Sequence, residues 1–407
     1  MSYITEINAT QYNDYVINSK GPVILDFYSD DCVPCESLAG KYESLSSLFG
    51  SKVKFLKIFR QQNRDLAVSL GVKSSPTLIF YIDGKEVGSR LTGAIRKSAI
   101  IEQISSMLAQ HEFNQLYSNR QLKRIDVDIA ILGGGPAGMT AALYAAQAKL
   151  RVLVIDQDLT GGQVKITHLI SNYPGTGGPV SGWELSEKML RQIEEAGAKV
   201  LSAVDVTSVK LKEGDHIIQV DNEINVHSPV IILASGADPR LLSIAGEKEY
   251  KGKGISYCAT CDGKYYQDKE VIVIGGGNSA IEESLFLTKF ASKVTIIHQF
   301  DQLQANKTAQ EQAFANNKIQ FIWNTEARSF ELQENGQMKV TVENLTTNQR
   351  HDVLTDGVFV FIGMIPNLNG IETVDNKLTT DNYGYIITDD DMETNLKGVF
   401  AVGDVRS

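Results

Sequence analysis

The chain has 407 residues, 43% of them apolar and 22% charged, with 49 acids against 39 bases and a net charge of −10. That length exceeds what one core holds and implies about three domains. No basic block offers a footprint for nucleic acid, no apolar run reaches the length of a membrane span, and residues 1–18 are unlike a signal or transit peptide; a soluble cytoplasmic protein is expected.

In chain order, Val23–Tyr28 is an apolar run of strand length, followed by Cys32-Val33-Pro34-Cys35 and a helical stretch to about Leu48. Lys52–Phe59 alternates like a strand and Asn63–Leu70 has helical spacing. Thr77–Ile82 and Lys85–Leu91 flank Asp83-Gly84, a tight-hairpin signal because both turn residues tolerate positive φ. Ile100, Ile101, Ile104 and Met107 share one face of a helix within Ile95–Leu108. Residues 1–110 thus read as a small α/β domain. Residues 111–125, where polar residues crowd in, read as a linker, with helix in part of it left open.

Two βαβ units follow. The first is the strand run Asp126–Leu132, the loop Gly133-Gly134-Gly135-Pro136-Ala137-Gly138, an Ala-rich helix and the strand Val152–Ile155. The second is Val271–Ile274, Gly275-Gly276-Gly277-Asn278-Ser279-Ala280, a helix to about Phe290 and Val294–Ile297. Strands near Val230–Ser235 and Val358–Gly363 mark the crossings between these units. In the first loop, Gly133 permits the tight turn, Gly135 admits a pyrophosphate to the backbone, and Gly138 lets helix and strand pack closely. Asp156 ends the next strand about 20 residues on, where an acid binds a ribose hydroxyl. The second loop has Ala280 at the packing position and His298 where the acid would stand.

The four cysteines form two pairs, Cys32/Cys35 and Cys258-Ala259-Thr260-Cys261, and leave none for a structural bridge. A two-residue gap suits dithiol exchange, in which one thiol attacks and the other resolves the mixed disulfide. Residues 36–257 lie between the pairs and no histidine stands beside either, which disfavours a shared zinc site. Asp262 beside the second pair is either a proton shuttle or a turn residue before Gly263. Cys35 falls in the first turn of a helix, which favours a thiolate, whereas Asp30 and Asp31 oppose one. Cys32 is therefore expected to be a moderate nucleophile. Asp26, inside the apolar strand, is equally open to solvent-facing and buried readings.

These residues resemble known families. Residues 126–407 resemble low-molecular-weight thioredoxin reductase through Gly133–Gly138, Gly161-Gly162-Gln163, Asn172-Tyr173-Pro174-Gly175, Cys258-Ala259-Thr260-Cys261-Asp262-Gly263, Gly275–Ala280 and Gly403-Asp404. Residues 1–110 resemble thioredoxin through Asp26, Cys32/Cys35, Lys57 and Ser75-Pro76-Thr77. The resemblance implies an α/β chain: a thioredoxin fold, then two Rossmann-type three-layer domains. One binds FAD (126–238 and 366–407); the other binds NADH or NADPH and carries the second cysteine pair (239–365). FAD contacts would come from Gly133–Gly138, Asp156, Gly162, Gln163, Thr167, Asn172, Gly403 and Asp404, and nicotinamide contacts from Gly275–Ala280 and His298. Cys261 would face the flavin, Cys258 attack the thioredoxin disulfide and Asp262 act as acid. In the first domain Cys32 would attack, Cys35 resolve and Pro76 be a cis-proline. The resemblance also implies a homodimer and hinges near Ala237–Leu242 and Gly363–Asn369. Its partners would be its own thioredoxin domain and protein disulfides of thioredoxin-like or peroxiredoxin type.

Three departures qualify this expectation. The family's NADPH reductases follow the second nucleotide strand with arginines, and here Gln299, Phe300 and Gln304 stand instead, so NADH or ferredoxin becomes a candidate donor. Asp31 and Val33 replace the usual tryptophan and glycine of the thioredoxin motif. The chain ends at Ser407 where the family continues with a helix under the flavin, so a truncated FAD-binding part is expected. Two rival readings stand beside the reductase. One is the NADH-dependent reductase arm of an alkyl hydroperoxide system that reduces a peroxiredoxin, separable by comparing peroxiredoxin with insulin as acceptor. The other is a non-enzymatic flavin redox sensor. Alkylation of Cys32 as a function of pH should give a thiol titrating only moderately below a free cysteine; a strongly acidic thiol would refute the charge argument.

Overall fold

The computed structural model describes all residues except Met1, Ser2, His168, Leu169, Ser171, Asn172, Asp375 and Asn376. The chain falls into two compact units. One comprises Met1–Gly162, Ser186–Gly236 and Leu368–Ser407; the other comprises Gln163–Leu185 and Ala237–Asn367.

The first unit opens with a thioredoxin-type module: β1 (Ile4–Ile7), β2 (Pro22–Tyr28), α1 (Val33–Phe49), β3 (Lys54–Phe59), α2 (Arg64–Ser69), β4 (Thr77–Ile82), β5 (Lys85–Thr92), α3 (Lys97–Met107) and α4 (Gln110–Ser118). Its strands order β1-β3-β2-β4-β5. β1, β3 and β2 run parallel, and β4 and β5 return antiparallel. Strand β2 is buried along Val23–Phe27, which explains its unbroken apolar run. The β4–β5 turn places Asp83 and Gly84 at φ 49° and 76°. A Cβ on Gly84 would sit 1.9 Å from the Ile17 carbonyl oxygen, so that position requires glycine.

The rest of this unit contains β6 (Lys123–Asp126), β7 (Ile129–Leu132), α5 (Pro136–Gln147), β8 (Val152–Ile155), the C-terminal part of α6 (Gly182–Ala196), β9 (Lys199–Leu201), β10 (Val206–Leu211), β11 (His216–Val220), β12 (Ile224–Ser228) and β13 (Val230–Leu233). Two strands from the end of the chain, β24 (Ile371–Thr373) and β25 (Val399–Ala401), complete its sheets. A parallel sheet orders β25-β13-β7-β8-β9, and a second sheet orders β24-β10-β11-β12-β6. Their facing apolar side chains, among them Leu132, Val209, Val226 and Leu233, share one core.

The second unit repeats the plan. It holds β14 (Ala237–Pro239), α7 (Glu247–Tyr250), β15 (Ile255–Ser256), α8 (Ala259–Asp262), β16 (Glu270–Ile274), α9 (Asn278–Leu287), β17 (Lys293–Ile297), α10 (Lys307–Ala315), β18 (Ile319–Ile322), β19 (Thr325–Leu332), β20 (Met338–Asn344), β21 (Arg350–Thr355), β22 (Gly357–Val360) and β23 (Met364–Pro366). The parallel sheet orders β15-β22-β16-β17-β18, with a β19-β20-β21 antiparallel sheet and a β14-β23 ribbon beside it. Among the described residues, no helix is long and apolar enough to cross a membrane.

One local expectation changes and another gains detail. The run Asp126–Leu132 is two strands in different sheets, β6 and β7, because Asp128 breaks off to bind Arg151 through backbone and carboxylate. The segment 111–125 is mostly ordered secondary structure. Helix α4 buries Phe113 against the module, its ring stacked between Phe49 (5.6 Å) and Tyr117 (5.4 Å), and β6 pairs with β12. Only residues 119–122 connect the two elements. Phe113→Ala should therefore cost the module about 3–5 kcal/mol in urea unfolding, as for a core aromatic; a loss below about 1 kcal/mol would contradict the packing of α4 on the module.

Candidate redox and dinucleotide sites

In both parallel sheets the glycine loop leaves a central strand, β7 or β16. The next strand in sequence lies on one side, and a strand from much later in the chain on the other. That is the switch point at which open α/β sheets bind dinucleotides. The two turns make the same demands on the backbone. A Cβ on Gly133 would sit 2.2 Å from the Ala234 oxygen, and one on Gly275 would sit 2.2 Å from the Phe361 oxygen. Both glycines have positive φ, 111° and 141°. A Cβ on Gly138 would sit 2.0 Å from the Gly133 oxygen, so helix α5 packs on its own turn. By contrast, a Cβ at Gly277 would meet nothing, and one at Gly135 only the Gly162 Cα at 3.9 Å. Helices α5 and α9 both start without a side-chain cap. Open outer faces and uncapped helix starts fit a pyrophosphate at each loop.

The loops differ at the residue after the neighbouring strand. Asp156 follows β8, and its carboxylate accepts from the Gly134 amide (2.8 Å) and the Asp158 amide (2.9 Å). His298 follows β17, is buried, and lies over Gly276, where a Cβ would come within 2.3 Å of the ring. Burial lowers its pKa, which favours neutral imidazole, and its Nε2 is buried without a partner.

Gly403 and Asp404 close the first site from the C-terminal side. Gly403 approaches Ala137 so closely that a Cβ would sit 2.8 Å from that residue's own, and Asp404 is exposed. Gln163 and Thr167 belong to the second compact unit. Gln163 Nε2 donates to Asp238 Oδ1 at 2.5 Å, and the Thr167 carbonyl accepts from the Gly182 amide. Asn172 lies outside the described residues.

Each cysteine pair is a disulfide closed within itself, with Cα–Cα distances of 5.2 Å for Cys32–Cys35 and 5.4 Å for Cys258–Cys261. Both start a helix in the same manner. Cys32 caps α1 and Cys258 caps α8, and each Sγ accepts from the amide of the pair's second cysteine at 3.2 Å. An amide aimed at that sulfur stabilises its thiolate on reduction. Cys32 Sγ lies 3.5 Å from the Ser75 carbonyl oxygen, next to the cis Ser75–Pro76 peptide. The second pair has a feature that spacing alone did not reveal. Ser256, buried at the end of β15, donates to Asp262 Oδ2 (2.7 Å) and accepts from the Cys258 amide (3.1 Å). A serine two residues before a cysteine carries no such signal in sequence.

Asp26 is buried. Its Oδ1 has no hydrogen-bond partner, and burial raises its pKa to about 7 against the weaker opposing pull of Lys57. Lys57 lies instead 3.2 Å from Glu6 and over the Tyr28 ring.

Residues 127–407 match the family described as pyridine nucleotide-disulphide oxidoreductase, and residues 3–106 match thioredoxin. The chain belongs to the pyridine nucleotide-disulphide oxidoreductase family. Within it, the thioredoxin reductase of Peptoclostridium acidaminophilum is 44% identical over 69% of this chain and 89% of its own length. The thioredoxin reductase of Bacillus subtilis is 41% identical over 69% of this chain and 86% of its own. The solved thioredoxin reductase of Streptococcus pyogenes aligns at a TM-score of 0.61 and 41% identity, covering 69% of this chain and 90% of that one. This family member is a FAD-dependent flavoprotein oxidoreductase of thioredoxin reductase type that carries a thioredoxin domain.

The buried Asp26 sets a pH dependence. Unfolded, the carboxyl ionises near 3.9; folded, it ionises near 7. The folded module therefore carries an increasing penalty as pH rises through that window, and none below it. Asp26→Asn should stabilise the module by about 3–4 kcal/mol at pH 8 and leave pH 3.5 unchanged, read from unfolding transitions. Equal stability of variant and parent at pH 8 would contradict the burial.

Proposed function

We propose that the chain is a thioredoxin-disulfide reductase with a built-in acceptor: electrons pass from a reduced nicotinamide through FAD to Cys258/Cys261, then to Cys32/Cys35, then to protein disulfides. The observation that carries this reading is the repeated sulfur geometry. Two disulfides in one chain each begin a helix, with the first sulfur accepting the amide of the second cysteine. Either pair is thereby suited to give or receive a thiolate.

FAD bound at the first glycine loop would supply the two-electron chemistry between nicotinamide and dithiol. Gly133–Gly138 and the start of α5 would receive its pyrophosphate, and Asp156 would orient the ribose. In the exchange step, the Cys258 thiolate attacks Cys32, forming a Cys258–Cys32 bond and releasing Cys35 as thiolate. Cys261 then attacks Cys258, restoring the Cys258–Cys261 disulfide and releasing Cys32. Two electrons and two protons have moved to the module. Asp262, steered by Ser256, would serve as the acid of the reductase pair; in the module Asp26, titrating near 7, would exchange a proton at neutral pH. Of the four chain crossings between the two compact units, those at Gly236–Ala237 and Asn367–Leu368 are where a hinge would act.

For the donor, the loss of cations at Gln299, Phe300 and Gln304 supports NADH over NADPH, since a 2′-phosphate finds no charge-assisted partner at those positions. Anaerobic flavin reduction by NADH, NADPH and reduced ferredoxin in parallel should give NADH at least parity with NADPH. A preference for NADPH of about tenfold or more would overturn the donor assignment, and reduction by ferredoxin alone would remove the nicotinamide from the path. Cys258→Ser should slow reduction of Cys32–Cys35 by more than about a thousandfold while the flavin remains reducible. An unchanged rate would break the proposed relay.

A further inference from the structure

One flank of α1 in the module carries Ser37, Lys41 and Ser44, spaced to share a helix face. Two more cations, Arg96 and Lys97, stand beside it at the start of α3. Lys41 Nζ donates to the Ile95 carbonyl oxygen (3.2 Å), and Lys97 Nζ donates to Ser44 Oγ (2.9 Å). A lysine in the first turn of a helix opposes the macrodipole, so the module alone gives no reason to bury Lys97 there. Yet its side chain is only 4% exposed.

The explanation lies on the part of the same compact unit that carries the first glycine loop. Lys97 forms an ion pair with Glu223, itself 11% exposed. Lys41 Nζ also donates to the carbonyls of Ser202 (2.9 Å) and Ala203 (2.8 Å). Ser37 Oγ donates to the Ser202 carbonyl at 2.9 Å and meets Ser202 Oγ at 3.1 Å. Arg96 Nε donates to the Gln157 carbonyl (3.0 Å), and its Nη1 lies 3.5 Å from Asp205. Asp221 braces the loop by accepting from the Asp205 amide at 2.8 Å. Three module cations thus face three acids, Asp205, Asp221 and Glu223. Burial lowers the Lys41 pKa to about 8, with Asp221 and Asp205 opposing the shift.

We propose that Gln157, Ser202–Asp205 and Glu223 form a docking surface for the chain's own thioredoxin module, which works from this fixed seat instead of swinging as a tethered carrier. The seat holds the flank of the helix that Cys32 caps, beginning at Ser37. The edge formed by Cys32, Ser75 and Pro76 is then the face left for a partner disulfide. The proposal stands independently of the electron path argued above.

Cross-linking tests it directly in the full-length chain. With Cys32→Ser and Cys35→Ser as background, Ser37→Cys and Ser202→Cys should oxidise to an intramolecular disulfide, identified by peptide mass and unchanged in yield on dilution. The 3.1 Å Oγ–Oγ contact leaves the two side-chain ends about 1 Å from the length of an S–S bond. Glu223→Lys should slow its formation by about tenfold or more, and adding Lys97→Glu should restore it. Should Glu223→Lys fail to fold, Lys41→Ala is expected to slow it by a few-fold, about threefold. No cross-link, a cross-link only between chains, or rates indifferent to these changes would overturn the seat.

Discussion

The chemistry of this chain depends on one arrangement: a helix that begins just after a buried strand, with its first amides open or aimed at a sulfur. It occurs after β2, where the group is a sulfur, and after β7 and β16, where an open glycine turn precedes an uncapped helix. Those helices are long enough for the summed peptide dipoles to add to the local hydrogen bonds. After β15 the helix has only four residues, so the Cys261 amide itself must do most of the stabilising. The strands supply rigidity, because each is buried on both faces and cannot shift its end without disturbing the core.

The two glycine turns share backbone demands but not electrostatics. Asp156 directs its carboxylate to the amides of its own loop and so presents a fixed negative group at the end of β8. At the matching place after β17, burial lowers the pKa of His298, and its ring fills the space above Gly276. A carboxylate and an imidazole ring differ in charge and in hydrogen-bonding capacity. One fold, used twice, thereby presents two different groups beside its glycine turns, through the residue that follows a single strand.

Features that depend on neighbours close in sequence were legible from the residues. Asp83-Gly84 specifies its turn by the φ values both residues tolerate, and the need for Gly138 follows from the Gly133 oxygen within the same βαβ unit. What escaped were features decided by distant residues. Helix α4 is ordered by Phe113 stacking on Phe49, which its weak local pattern does not announce. The burial of Asp26 is set by the strands on either side of β2, so the apolar run around it was compatible with both readings. The pairing of Lys41, Lys97 and Glu223 has no signal in sequence, because charge alone does not report a facing surface.

The polar character of the seat has its own logic. An apolar patch on the module would favour association with many partners, including other copies of the chain. A buried ion pair such as Lys97–Glu223 contributes little net stability, since desolvation offsets most of its attraction, but a register that leaves either charge alone is costly. The pair therefore selects orientation more than it adds affinity. Affinity need not be high, because residues 119–122 hold the module within reach and raise its local concentration. A weak, selective contact and a short connection together suffice to fix where Cys32 is presented.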